Sequence, residues 1–140
     1  MKLSSKGRYA VMGLADIARF NQNEPISLRD ISLRQGISLV YLEQLFLKLK
    51  KNNIVKSIRG KKGGYILSRN ASDIKISDIL FAVEEKVKTV GCEKHSKKGC
   101  NGRSAKCISH NLWDELEDYI NNFFQQRSLS DLINKTENRI

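Results

Sequence analysis

A mainly α (α+β) fold, helical apart from one small hairpin, is predicted by three observations. Apolar residues recur at three- and four-residue steps in several separate segments. Short stretches of glycine, proline, asparagine and serine punctuate those segments. Only one place, IVKSIR followed by GYILS, carries two short β-prone runs joined by glycines and lysines.

The first helix is predicted over Ser5–Phe20, where Tyr9, Val11, Met12, Leu14, Ala15, Ile17, Ala18 and Phe20 recur with helical spacing. Lys2, Lys6 and Arg8 crowd its start, although a helix N-terminus prefers negative charge, so a nearby phosphate would suit it. Asn21 to Glu24 ends this helix, and Pro25 fixes the connection. Ser27 is expected to cap a second helix, with Asp30 three residues on in a capping-box relation. Leu28 and Ile31 give that helix an inward face, and Gly36 closes it as a left-handed C-cap.

Ser38 opens a third helix, SLVYLEQLFLKLKKNN, whose buried stripe is expected to be Leu39, Leu42, Leu45, Phe46 and Leu49. Helix, short glycine-containing turn and helix form the helix-turn-helix arrangement, with the second of the pair as reader. The following β-hairpin, with Gly60-Lys61-Lys62-Gly63-Gly64 at its tip, adds a wing. Residues 1–82 are therefore assigned to a winged helix-turn-helix domain.

Candidate DNA contacts follow from this placement. Ser38, Val40, Tyr41, Glu43 and Gln44 lie towards the N-terminal end of the reader helix. Gln44 can bond bidentately to adenine, and Glu43 can accept from cytosine N4. A carboxylate is also repelled by phosphates, so Glu43 selects against sequences as much as it adds affinity. On periodicity alone, both are ordinary solvated helix residues. At the wing, Lys61 and Lys62 can follow a phosphate backbone, and Arg59 can enter the minor groove.

Charge favours the same end of the chain. The 140 residues carry a formal charge of +10, and Met1 to Tyr65 holds thirteen Lys and Arg against four Asp and Glu. The remainder is nearly balanced, at twelve against eleven. Such a localised basic surplus suggests nucleic acid binding there, although charge alone fits a basic soluble surface nearly as well; three helices and a wing at the same end make double-stranded DNA the expected partner. Hydrophobic residues make up 40% of the chain, enough for a core, yet no run is long enough to span a membrane. The N-terminus does not resemble a signal peptide, so a cytoplasmic location is expected. Gly63 and Gly64 lack the spacing of a nucleotide-binding loop.

Asn70 to Lys75 is polar, Ile76 to Ala82 forms a short apolar helix, and residues 83–108 form a loop containing every cysteine and one of the two histidines. Cys92, Cys100 and Cys107 are followed by His110, in the spacing Cys-x7-Cys-x6-Cys-x2-His. Glycine, lysine, serine and asparagine between them cannot build a core, so burial does not explain the thiols and ligation does. Three thiolates and an imidazole suit either tetrahedral zinc or a [2Fe–2S] cluster with one cysteine exchanged for histidine. Cys107 and His110 are three apart where a helix begins, which can bring both to one side. His95 is an additional candidate within the loop. An enzymatic pairing of Cys107 with His110 lacks an evident orienting third residue, so no catalytic role is expected.

Residues 109–140 complete the chain. Leu112, Trp113, Leu116, Tyr119, Ile120, Phe123 and Phe124 give a long amphipathic helix over Ser109 to Gln126. Its apolar face is generous for one helix beyond a small domain, which favours pairing with a second copy as a homodimer. The tail is expected to add one short helix around Asp131 to Asn134 and then fray.

Four motifs in order, SSKGRYAV, DIS-RQGIS-YLEQLF, IRG–GGY and C–SH-LW, closely resemble the IscR-type iron–sulfur cluster regulators, from Met1 to about Leu132. The resemblance implies a winged-helix transcription factor holding a [2Fe–2S] cluster through Cys92, Cys100, Cys107 and His110. It implies base recognition by Glu43 and Gln44, minor-groove contact by Arg59, and feedback on cluster-assembly genes as a repressor. The cluster-assembly machinery would be the cluster donor. Two features depart from that pattern: the cysteine gaps are longer, and Val40 stands where the subgroup typically has serine. A thymine-methyl contact would replace the serine hydrogen bond, giving a different operator.

Overall fold

The computed structural model describes residues 3–20, 24–88 and 108–137. Helix α1 (Ser5–Phe20), α2 (Leu28–Gln35) and α3 (Leu39–Lys51) are followed by strands β1 (Val55–Ile58) and β2 (Gly64–Leu67), a 3-10 turn at Ala71–Asp73, α4 (Ile76–Ala82), α5 (His110–Gln126) and α6 (Leu129–Glu137). The strands pair antiparallel, with Val55 opposite Leu67 and Ile58 opposite Gly64.

The helix-turn-helix forms as its sequence dictates. The Ser27 hydroxyl accepts from the Asp30 backbone N–H at 3.1 Å, satisfying one of the donors left free at a helix start. Gly36 has φ 68°, and its N–H donates to Ser32 O at 2.9 Å. A side chain at that left-handed position would be strained, so a glycine ends α2 and turns the chain into α3. From α3, Leu42, Leu45, Phe46 and Leu49 are buried. They meet Ala10, Leu14 and Ile17 of α1, Ile31 of α2, Val55 of β1 and Ile79 of α4 in one core. Phe46 packs edge-on against Tyr65 of the wing, with ring centroids 5.0 Å apart. Leu39, expected in the buried stripe, is instead exposed.

The wing is fastened to the start of α2. Ile26 N–H donates to Tyr65 O at 3.0 Å, and Tyr65 N–H donates back to Ile26 O at 2.8 Å. A Cβ on Gly64 would lie 2.3 Å from Ile26 O, so only glycine permits this approach. A second fastening joins α1 to α2. Arg34 donates to both carboxylate oxygens of buried Asp16, at 2.9 and 2.7 Å, and Gln35 Nε2 adds a third bond at 2.9 Å. Bidentate pairing of this kind fixes angle as well as distance. The bond to Asp16 is the largest influence on the Arg34 guanidinium, raising its pKa above the ordinary value.

The C-terminal end returns to the N-terminal core. Ile76 N–H donates to Arg127 O, and Leu129 N–H donates to Ile74 O, both at 2.9 Å. Helix α6 packs on α1, with Leu129 fully buried. This helix is longer than the short one expected over Asp131 to Asn134. Its start is a reciprocal cap: Ser128 N–H donates to Asp131 Oδ2 at 2.9 Å, and Asp131 N–H donates to Ser128 Oγ at 3.2 Å.

Candidate functional site

Burying Leu42, Leu45, Phe46 and Leu49 turns the opposite face of α3 to solvent. Val40, Glu43, Gln44 and Leu47 all lie exposed there. Ser38 is exposed too, with its hydroxyl oxygen accepting from Tyr41 N–H at 3.4 Å at the head of the helix. Tyr41 is half-buried, sharing a hydrogen bond with Ser5 Oγ at 3.0 Å and packing edge-on against Tyr9. The sequence-derived reader set therefore divides. Ser38 and Tyr41 hold α3 in place, while Val40, Glu43 and Gln44 project outward. Leu47 belongs to the same outward stripe and was not singled out from the sequence. Its signal was the seven-residue step from Val40.

Arg59, Lys61 and Lys62 are exposed on the wing, as are Lys50 and Lys51 at the end of α3. Glu43 lies close enough to the wing to influence Tyr65. Burial pushes the Tyr65 hydroxyl above its ordinary value, and the Glu43 carboxylate adds in the same direction. The start of α1 has its own source of negative charge: Ser4 donates through both its N–H and its hydroxyl to the Glu85 carboxylate. The phosphate inferred for that helix end is thus not required, because Glu85 supplies the charge from within the chain.

Glu85 and Glu84 lie just beyond α4, on the segment leading to the cysteines. Glu84 has φ 59°, and its carboxylate is 3.3 Å from Lys48 Nζ on α3. Lys6 Nζ donates to Glu84 O at 3.4 Å. The approach to the cysteine segment is consequently tied both to α1 and to the helix bearing Glu43 and Gln44.

Cys92, Cys100, Cys107 and His95 lie outside the described residues. His110 is described, as the first residue of α5, and is only 2% exposed. Its Nε2 is 3.0 Å from Oδ2 of Asp114, one helical turn on. Trp113 Nε1 donates to Ser109 Oγ at 3.0 Å, which fixes the same first turn. Among the described residues, no three or more His, Cys, Asp or Glu side chains form a metal-binding group. Asp114 was not identified from the sequence, although its four-residue step from His110 was legible.

A helix-turn-helix with an exposed outward face on its second helix, a basic hairpin beside it and a core that braces both define a winged-helix DNA-binding protein. The comparisons give the family. The model of the Rrf2 family, described as an iron-dependent transcriptional regulator, matches residues 3–135. The chain is 47% identical over 137 residues to the HTH-type transcriptional regulator IscR of Photorhabdus laumondii, covering 98% of this chain and 82% of that protein. The regulator of the same name from Serratia proteamaculans is 45% identical over equal shares. Among solved structures, T. potens IscR matches with a TM-score of 0.79 and 33% identity, over 99% of this chain and 90% of that one. CymR, the global cysteine regulator of B. subtilis, matches with a TM-score of 0.80 and 29% identity, over 96% and 98%. The chain belongs to the Rrf2 family and is a DNA-binding transcriptional regulator of the IscR type, not an enzyme. No helix among its described residues is long and apolar enough to cross a membrane.

Proposed function

We propose that this regulator senses iron–sulfur cluster status as a homodimer, through a [2Fe–2S] cluster held by Cys92, Cys100, Cys107 and His110. The observation that carries the reading is His110: a buried imidazole three residues after Cys107 in the chain, with the Asp114 carboxylate 3.0 Å from its Nε2. Metal-bound histidines characteristically have their second nitrogen oriented by a hydrogen-bonded carboxylate, and Asp114 lies near enough to take that part when the site is filled. Three thiols and this imidazole are the donor set of a cluster with one histidine ligand, so the residues fit the group. When bound, it supplies a one-electron redox change and a cross-link that oxidants or iron scarcity can remove.

The chain's own residues carry the response. Releasing Cys92 from a cross-link alters the constraint on residues 83–88, where Glu84 contacts Lys48 of α3 and Glu85 contacts Ser4 before α1. Two arrangements of that segment would present Glu43 and Gln44 differently to DNA, which is the minimum such coupling requires. In this reading Gln44 and Glu43 recognise base edges, Arg59 enters the minor groove, and Lys61 and Lys62 follow phosphates. Residues 1–82 form the DNA-binding unit, 83–108 the cluster loop and 109–140 the dimerisation helix and tail.

Helix α5 supports the dimer. Leu112, Leu116, Tyr119 and Phe123 are exposed at steps of four, three and four residues, the spacing of a helix–helix seam. A second copy would cover them. The protein then acts in the cytoplasm as a repressor of cluster-assembly genes, with that machinery as cluster donor.

The test is anaerobic purification followed by visible absorbance and counting of iron, sulfide and zinc per chain. Coloured protein with equal iron and sulfide, lost on substitution of any of the three cysteines, is the expected result. Colourless protein with one zinc per chain would replace the cluster by a structural metal in the same Cys3His set.

A further inference from the structure

We infer that Leu47, together with Val40, is a specificity-determining residue that reads thymine methyl groups on the two sides of the base contacts made by Glu43 and Gln44. The inference rests on α3 being the reader helix and goes beyond that assignment. Val40 and Leu47 are each 63% exposed. Seven residues separate them, so they point within about 20° of one another and lie about 10 Å apart along the helix. Glu43 and Gln44 fall between them on the same exposed stripe. The face therefore runs apolar, polar, apolar rather than uniformly polar.

Duplex DNA is the occupant that this face fits. Lys50 and Lys51 extend beyond Leu47, and Arg59, Lys61 and Lys62 stand exposed on the wing, all complementary to phosphate. Within the major groove, the apolar feature of a base edge is the C5-methyl of thymine. A 10 Å separation exceeds one base-pair rise, so the two side chains would meet methyls on different base pairs. Specificity at those positions then comes from methyl burial, whereas specificity between them comes from hydrogen bonds.

The experiment removes methyls alone. Duplexes that bind the full-length chain are selected from a random library at fixed salt, and each thymidine is then replaced singly by deoxyuridine. Two positions, on different base pairs flanking the central contacts, should each lose about fourfold in affinity, the effect of one methyl-sized group. Leu47→Ser should abolish sensitivity at one position and Val40→Ser at the other. Both variants should keep the wild-type salt dependence, since their phosphate contacts and exposed location are unaffected. Neutral deoxyuridine at every position, or a Leu47→Ser protein with the full wild-type sensitivity pattern, would overturn the inference. If Gln44→Ala and Glu43→Ala also left every base preference unchanged, the reader assignment itself would fail, and this inference with it.

Discussion

The reader domain and α5 treat apolar side chains in opposite ways. In α3, Leu42, Leu45, Phe46 and Leu49 are buried against α1, α2 and the wing within one chain. In α5, Leu112, Leu116, Tyr119 and Phe123 stay exposed, and the buried residues are His110 and Glu117. The first region is complete in a single copy. The second conceals a candidate ligand and displays the surface that a partner would cover. On the proposed function, stability and regulation reside in different parts of the molecule, and substitutions should separate them.

Phe46→Ala strikes the complete region and should have the largest effect. The ring contacts both the α3 core and Tyr65, so its loss should cost about 3–5 kcal/mol in denaturant unfolding. Leu116→Asp addresses α5. It should weaken pairing by at least roughly a hundredfold, because each copy forfeits about 1.5–3 kcal/mol of leucine burial. Sedimentation should show monomers while the far-ultraviolet spectrum stays helical; an unchanged dimer would remove α5 from the interface.

Arg34→Ala leaves the Asp16 carboxylate buried without its bidentate partner. The expected loss is about 2 kcal/mol, below the range for fully buried pairs because the Arg34 side chain is 37% exposed. Asp114→Asn sharpens the comparison, since its effect should fall on the ligand rather than on the fold. Cluster loss to a chelator should be roughly tenfold faster with little change in melting temperature. A large melting shift with unaltered cluster lifetime would make Asp114 a structural residue only.

The smallest effect concerns pH. Backbone and side-chain hydrogen bonds with Ser128 hold the Asp131 carboxyl below its usual range. A depressed folded value means the stabilisation is fully present above the ordinary carboxylate pKa and is lost as pH falls through the folded value. Amide exchange in α6 should therefore distinguish wild type from Asp131→Ala at neutral pH and cease to do so in acid.

What could be seen in the sequence follows the range of the forces involved. Ser27, Gly36 and the α3 stripe act within a few residues, and α1, α2, α4 and the hairpin formed where those signals placed them. The cap of α6 was equally local, through Ser128 and Asp131, but its burial depends on α1, more than a hundred residues away in the chain. The tie between Glu85 and Ser4 is likewise a long-range contact that periodicity cannot express. For the site, the outward placement of Val40, Glu43 and Gln44 followed from the helical repeat. The supporting role of Tyr41 did not, because it depends on Ser5 in another helix, whereas Ser38 was already placed at the helix start by its sequence. His110 was legible as a donor from its place after Cys107, whereas its burial came only with the fold.

The central claim is that ligand state at the cysteine segment changes what the reader helix recognises. Its most direct test is the affinity of the cluster-loaded chain and the same chain after anaerobic removal of iron, measured on one set of selected duplexes at one salt concentration. The account predicts that the two forms rank those duplexes differently, and that the difference disappears in Cys92→Ala protein. Identical rankings from a chain shown to carry and then lose its cluster would contradict it.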